Sequence, residues 1–261
     1  MNKIVIDNDI VTLFETDNCI ELILSDKLDI FDVLKINLTV LSSTNIEIIY
    51  KKNSSTKLDF YLNIAENIKV NIDEMNESKE LKIRYQYNIG ENSQVINNQF
   101  HHIKDVKQLE IINLNGLNSS FESTIKTICS GNQKYDIYVY HSYKNTNSKI
   151  INKGVTVKDG NLTFNVTSIV YEGIKGCELD QKNRIVNLTQ NKCYIHPILL
   201  IEEQDVTANH AAYIGTFEEK DLFYLKSRGL TEEEATRLMI NGFLNDKKDP
   251  KIEKIINQYW R

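Results

Sequence analysis

The residues able to do chemistry are few and far apart. His210 stands near the end of the run Asp205-Val206-Thr207-Ala208-Asn209-His210-Ala211-Ala212-Tyr213-Ile214-Gly215, which reads as a strand. An imidazole facing outward there offers a neutral nitrogen to a metal ion. One nitrogen does not hold a metal by itself, so further ligands would have to come from elsewhere. The four cysteines, Cys19, Cys129, Cys177 and Cys193, are widely spaced with no Cys-x-x-Cys pair, so they suggest neither a disulfide framework nor a zinc site. They read as buried small apolar residues, with Cys177 following Gly176 in a turn. Cys193 and His196 lie three apart in an extended run containing Pro197, so their side chains diverge, Cys193 towards the core and His196 towards solvent. The pair His101-His102 is expected to be exposed in a loop. No Gly-x-x-x-x-Gly-Lys-Ser/Thr loop occurs, so the chain does not hydrolyse ATP through one.

The elements that must position these residues are mostly strands. Short β-rich runs, among them Leu34–Val40, Ile46–Tyr50, Leu81–Tyr87, Leu109–Leu114, Tyr135–His141 and Leu162–Tyr171, are separated by clusters of Asn, Ser, Lys, Asp and Gly. No amphipathic helix interrupts them, which excludes alternating strand–helix architectures. A sandwich and a parallel β-helix remain. Few Asn-Gly, Asp-Gly or Gly-Gly pairs sit where hairpins would need them, and that favours the β-helix, which stacks coils through turns of irregular length.

The pattern changes after Gly215. Thr216-Phe217-Glu218-Glu219 has the form of a capping box opening a helix with Leu222, Phe223 and Leu225, and Gly229 is suited to end it. Thr231-Glu232-Glu233-Glu234 repeats the box, and Ala235, Leu238, Met239, Gly242 and Phe243 then fall on one helical face. Asp249-Pro250 starts a third helix that aligns Ile252, Ile255, Ile256, Tyr259 and Trp260. The expected organisation is an all-β core over 1–215, a parallel β-helix, followed by a small α-helical module over 216–261.

Composition narrows the function. With 41% hydrophobic and 26% charged residues in a 261-residue chain, a real core is available. The net charge of −5, with lysines scattered among Asp, Glu and Asn, argues against nucleic acid as a partner. No apolar run approaches the roughly 20 residues that span a bilayer, and residues 1–9 lack the basic and apolar regions of a secretory signal, so a cytoplasmic protein is expected. Asn-x-Ser/Thr triplets such as Asn37-Leu38-Thr39 arise by chance in so Asn-rich a chain. A β-helical enzyme acting on polysaccharides would need paired carboxylates from neighbouring coils, which the sequence does not display.

The run Asp205–Gly215, then Phe223-Tyr224-Leu225-Lys226-Ser227-Arg228-Gly229-Leu230 and Glu233-Glu234-Ala235, strongly resembles the C-terminal signature of the SufB/SufD family. His141, Asn145-Thr146-Asn147-Ser148, Lys153-Gly154 and Gln181-Lys182-Asn183-Arg184 extend the resemblance, which covers about Tyr135 to Leu244. It implies a right-handed parallel β-helix with a helical C-terminal region and a scaffold role in iron–sulfur cluster assembly rather than catalysis. It also implies a SufC-like ABC ATPase docked on the helices, a SufB-like chain or a second copy as dimer partner, and a transient iron–sulfur cluster shared at the dimer interface. SufB-like members carry Glu-His-Glu at Asn209-His210-Ala211 and a cysteine near Lys182-Asn183. Neither is present, and His210-Ala211-Ala212 is similar to SufD instead.

On this resemblance His210 is the candidate cluster ligand, and Phe223, Tyr224, Arg228, Gly229, Ala235, Leu238, Met239 and Phe243 are candidate partner-binding residues. The bland alternative for the helices is that they cap the open end of the β-helix. Arg228 pairs either with the acidic first turn of the next helix or with the ATPase. Lys153 matches a lysine on a sulfur route through the β-helix of SufB; without the SufB-type cysteine it reads as structural or vestigial. A homodimeric scaffold of a reduced two-component system with the ATPase is the alternative assembly.

Overall fold

The computed structural model describes residues 2–7, 10–14, 20–24, 33–50, 55–76 and 80–259. Trp260 and Cys19, both named above, lie outside them. The described strands are β1 (Asn2–Asp7), β2 (Ile10–Phe14), β3 (Ile20–Leu24), β4 (Leu34–Val40), β5 (Thr44–Tyr50), β6 (Ser55–Ile64), β7 (Lys69–Asn76), β8 (Glu80–Ile89) and β9 (Gln94–His101). They continue with β10 (Asp105–Leu114), β11 (Ser120–Cys129), β12 (Asn132–His141), β13 (Asn147–Thr156), β14 (Asn161–Val170), β15 (Cys177–Asn187), β16 (Tyr194–Ile201) and β17 (Val206–Gly215). Three helices follow, α1 (Glu219–Ser227), α2 (Glu232–Leu244) and α3 (Pro250–Tyr259).

From β4 onward the odd-numbered strands build one sheet, here called the odd sheet, in the order β17-β15-β13-β11-β9-β7-β5 with β1 and β2 at its end, and the even-numbered strands the other, β16-β14-β12-β10-β8-β6-β4 with β3 at its end. From β4 to β17 consecutive strands thus alternate between two facing parallel sheets, which makes each coil a strand from one sheet and a strand from the other. The result is a parallel β-helix of about six turns, as the scarcity of hairpin turns suggests. Among the described residues the chain reverses only at the N-terminal end: β2 pairs antiparallel with β1, and β3 with β4.

Strict alternation fills the interior. In β8, Leu81, Ile83, Tyr85, Tyr87 and Ile89 face inward and are buried, while the residues between them face out. Residues one coil apart stack at matching register, and their spacing grows along the chain. Arg84 sits on Asp59 across 25 residues, Asn165 on Asp136 across 29, and His196 on Asn165 across 31.

The abundance of Asn has a structural cause here. Asn67, Asn92, Asn118 and Asn145 occupy turns with φ of 60°, 53°, 58° and 57°, a left-handed conformation that Asn adopts more readily than other residues with a Cβ. Asn92 Nδ2 donates to Asn67 Oδ1 at 3.2 Å, and Asn118 Nδ2 donates to Asn92 Oδ1 at 2.8 Å. Turn conformation and an amide ladder therefore select the same residue.

Helices α2 and α3 lie across the outer face of the odd sheet. Ile240, Leu244, Ile255 and Ile256 are buried against Phe100, Ile128, Val155 and Val186. They cover the side of the β-helix, so they are not a cap on its open end. The buried face of α2 is also rotated from the expected one: Ala235, Ile240 and Leu244 are buried, Met239 and Phe243 half-buried, and Leu238 and Gly242 exposed. The Thr231 capping box forms, with Glu234 N–H donating to Thr231 Oγ1 and Thr231 N–H to Glu234. The Thr216 box does not. Phe217 packs into the helix–sheet cluster, the chain stays extended through Glu218, and Glu218 caps α1 without a side-chain bond.

Candidate functional site

Strands β16 and β17 form the last coil, and each is hydrogen-bonded on one side only. A bare sheet edge invites pairing with another chain. Pro197 suits this position, because a residue without an N–H is tolerated at an edge. The coil is open to solvent: on its inward row Ile214 is 42% exposed, although its register partner Ile185 in the coil beneath is buried.

His210 pairs in register with Gln181, which faces the interior and is buried. Residues at matching register of a parallel sheet share a face, so His210 lies on the inward-facing row and not the outward one. Its exposure comes from the absence of a further coil above it. The same row carries Ala208 and Ala212, small residues that leave the imidazole room.

Beside the last coil stands the helical module. No residue of α1 is buried, and Phe223 is 73% and Tyr224 57% exposed, with Leu238 of α2 at 50%. Gly229, at φ 93°, ends α1: its N–H donates to the Lys226 carbonyl at 3.0 Å and that of Leu230 to the Leu225 carbonyl at 3.4 Å. The Arg228 guanidinium lies over the Tyr224 ring at 5.2 Å, and it is Lys226 that pairs with Glu232 of the next helix, at 2.9 Å.

A row of cations joins the module to the last coil. Lys126, Lys153, Arg184 and Tyr213 stand at matching register in β11, β13, β15 and β17 on the outer face. Lys126 and Lys153 both pair with Asp246, just past α2, and Lys153 Nζ donates to the Phe243 carbonyl at 3.3 Å. Arg184 lies 5.3 Å from the Phe243 ring and 5.2 Å from the Tyr213 ring. The three stacked charges meet the carbonyl-rich end of α2, where cations are favoured. Lys153 therefore faces α2 and does not line the interior.

The remaining candidates separate. Cys177 is buried as the first residue of β15, with Sγ 3.3 Å from Thr146 Oγ1. Cys193 is half-buried, and His196 is exposed with Nδ1 2.7 Å from Asn165 Oδ1. Burial pushes the Cys129 thiol up to about 12, so it is no nucleophile. His101 is fully buried in β9, contrary to the expected loop, and His102 packs edge-on against Tyr259 at 4.9 Å. Among the described residues no three His, Cys, Asp or Glu side chains gather where they could hold a metal ion.

A buried polar seam escaped the sequence reading. Gln99 Nε2 donates to Glu110 Oε1 at 2.7 Å, Gln108 Nε2 to Gln99 Oε1 at 2.7 Å, and Tyr85 donates to Glu74. His101 Nε2 lies 3.2 Å from Gln99 Oε1. Burial raises the Glu74 carboxyl to about 8 and Glu110 to about 7, and lowers His101 to about 3. The sign to look for was a polar residue at every inward position of a strand end, as Asn97, Gln99 and His101 are in β9.

Comparison with known proteins agrees with this architecture. Residues 37–243 match the model of the SufBD core domain of the SUF system for FeS cluster assembly. That span begins well before Tyr135, where the resemblance of motifs began. The chain is 35% identical over 113 residues to the iron–sulfur cluster assembly protein SufD of Bacillus subtilis, covering 43% of this chain and 26% of the relative. It is 30% identical over 115 residues to SufB of the same organism, covering 40% and 23%. A SufBD family protein of Pyrococcus horikoshii is 43% identical over 60 residues, covering 23% and 13%. The matched span is thus about a quarter or less of each of these relatives. The family match covers most of the chain, and the protein belongs to the SufB/SufD family of the SUF iron–sulfur cluster assembly system.

Proposed function

We propose that the chain is a SufD-like, non-catalytic scaffold subunit of a cytoplasmic SUF assembly complex. It pairs its last coil with a SufB-like chain, presents His210 as one ligand to the nascent iron–sulfur cluster, and docks a SufC-like ABC ATPase on α1 and α2. The carrying observation is that the last coil is left open over His210 while, next to it, Phe223 and Tyr224 of α1 are bare. Open sheet edges and apolar helix faces both favour being covered. The cluster is cargo held between chains, since His210 is a single donor and the other ligands come from the partner. Among the described residues no helix is long and apolar enough to cross a membrane.

Co-expression with an ABC ATPase and a SufB-like chain tests the assembly. A stable complex of all three supports the reading, a symmetric assembly of this chain with the ATPase alone supports a homodimeric scaffold, and failure to bind any ATPase overturns both. Phe223→Ala is expected to weaken ATPase binding without changing the fold. Anaerobic reconstitution of the complex with His210→Ala is expected to lower the cluster yield, and an unchanged yield removes His210 as a ligand.

A further inference from the structure

The coil beneath the open mouth ends in an unanswered acceptor. Gln181 in β15 is fully buried, and its amide is oriented by its nitrogen: Nε2 donates to Ser168 Oγ at 2.8 Å and to the Ile198 carbonyl at 3.2 Å. Turning the amide over would set Oε1 against the Ile198 carbonyl oxygen, so the assignment of the two ends is fixed. Oε1 then has no donor among the described residues. A buried acceptor left so loses its hydration without recompense, and native structures rarely keep one without a reason.

Parallel pairing sets His210 directly over Gln181, on the same inward face, at the interstrand spacing of about 4.8 Å. The neighbours of His210 on that row, Ala208 and Ala212, carry no side-chain donor. The imidazole is thus the one side-chain donor that β17 brings over this oxygen. It is solvent-exposed, and exposed side chains change rotamer within nanoseconds.

We propose that Gln181 is the positioning residue for His210: one ring N–H donates to Gln181 Oε1, which fixes the tautomer and turns the other nitrogen's lone pair out of the mouth. Histidines that bind metal are commonly held in this way by an acceptor on their second nitrogen. The proposal deepens the reading of His210 as a cluster ligand and rests on it, but its first test does not need the cluster.

The full chain, with histidine labelled by nitrogen-15, gives the tautomer of each ring from two-bond proton–nitrogen correlations at pH 8, and His210→Ala identifies the His210 signals. In the wild type, one tautomer of His210 is expected to dominate. Gln181→Met, similar in size and without an acceptor, is expected to return the ring to the mixture of free imidazole, and Gln181→Glu, which keeps an acceptor, to restore the single tautomer. Equal His210 tautomer populations in the wild type and Gln181→Met overturn the proposal. In the assembled complex, Gln181→Met is expected to lower cluster yield and Gln181→Glu to recover it; a yield unmoved by Gln181→Met, while His210→Ala lowers it, also overturns it. A yield unmoved by His210→Ala removes the ligand reading alone, and the tautomer measurement still stands.

Discussion

His101 in β9 and His210 in β17 occupy inward rows of the same sheet, each with a glutamine beside it, and they live in opposite environments. His101 is fully buried between coils, and burial lowers it to about 3, so it is a neutral hydrogen-bonding group at any physiological pH. His210 sits where the stacking stops and is exposed. His101 has β11 stacked above it, whereas no described strand lies above His210. A parallel β-helix therefore makes a buried packing residue and an exposed residue from the same side chain and the same face, according to whether a neighbouring strand covers it.

The sharpest way to break this contrast is to cut the same kind of mass from both regions. Phe164→Ala removes a fully buried ring from a sealed coil and is expected to cost about 3–5 kcal/mol in denaturant unfolding. Leu200→Ala, in the open coil and 52% exposed, is expected to cost under about 1 kcal/mol. Equal costs would mean that the outer face of β16 at Leu200 is covered in solution.

Proton linkage gives the next largest effect. Burial raises the Glu74 carboxyl from 4.5 to about 8. The contribution of the protonated acid is fully present below pH 4.5, the unfolded value, and is lost as pH rises through about 8. Glu74→Gln, neutral at every pH, is expected to flatten this decline and to raise stability at pH 9 by about 2 kcal/mol or more, as read by the midpoint of denaturation at a series of pH values. A parallel pH dependence in wild type and variant would show that the seam is hydrated.

Arg184→Ala probes the join between the two regions. Losing its contacts with Phe243 and Tyr213 is expected to cost about 1–2 kcal/mol locally. Amide exchange should quicken in α2 and β17 while β8 and β10 keep their protection. The smallest effect belongs to His210→Ala, which is expected to leave stability within about 0.5 kcal/mol of wild type, in keeping with an exposed side chain outside the packed core.

How much of this was legible followed from the range of each signal. The Thr231 capping box and the Gly229 stop were read correctly because they involve residues within four positions of one another. The Thr216 box failed because Phe217 is drawn into the helix–sheet cluster, a long-range contact that outweighs a local cap. The buried arc of α2 was misjudged because Leu238, Met239, Ile240, Phe243 and Leu244 are all apolar, and only the sheet decides which of them it meets. Lysines that read as scattered are partly stacked: Lys57, Lys82, Lys107 and Lys134 share one register in successive coils. Because the spacing between coils drifts from 25 to 31 residues, no fixed period exposed such columns in the sequence.

By itself the sequence determined the class of fold, the change from strands to helices near Gly215, and the motif around His210, since alternation, caps and a contiguous motif are all properties of neighbouring residues. Only the tertiary structure decided that His210 faces inward over Gln181, that Lys153 and Arg184 hold α2, and that Glu74 and Glu110 are buried. Each of these depends on which residues a coil sets above which others, and that register is fixed by closure of the whole β-helix.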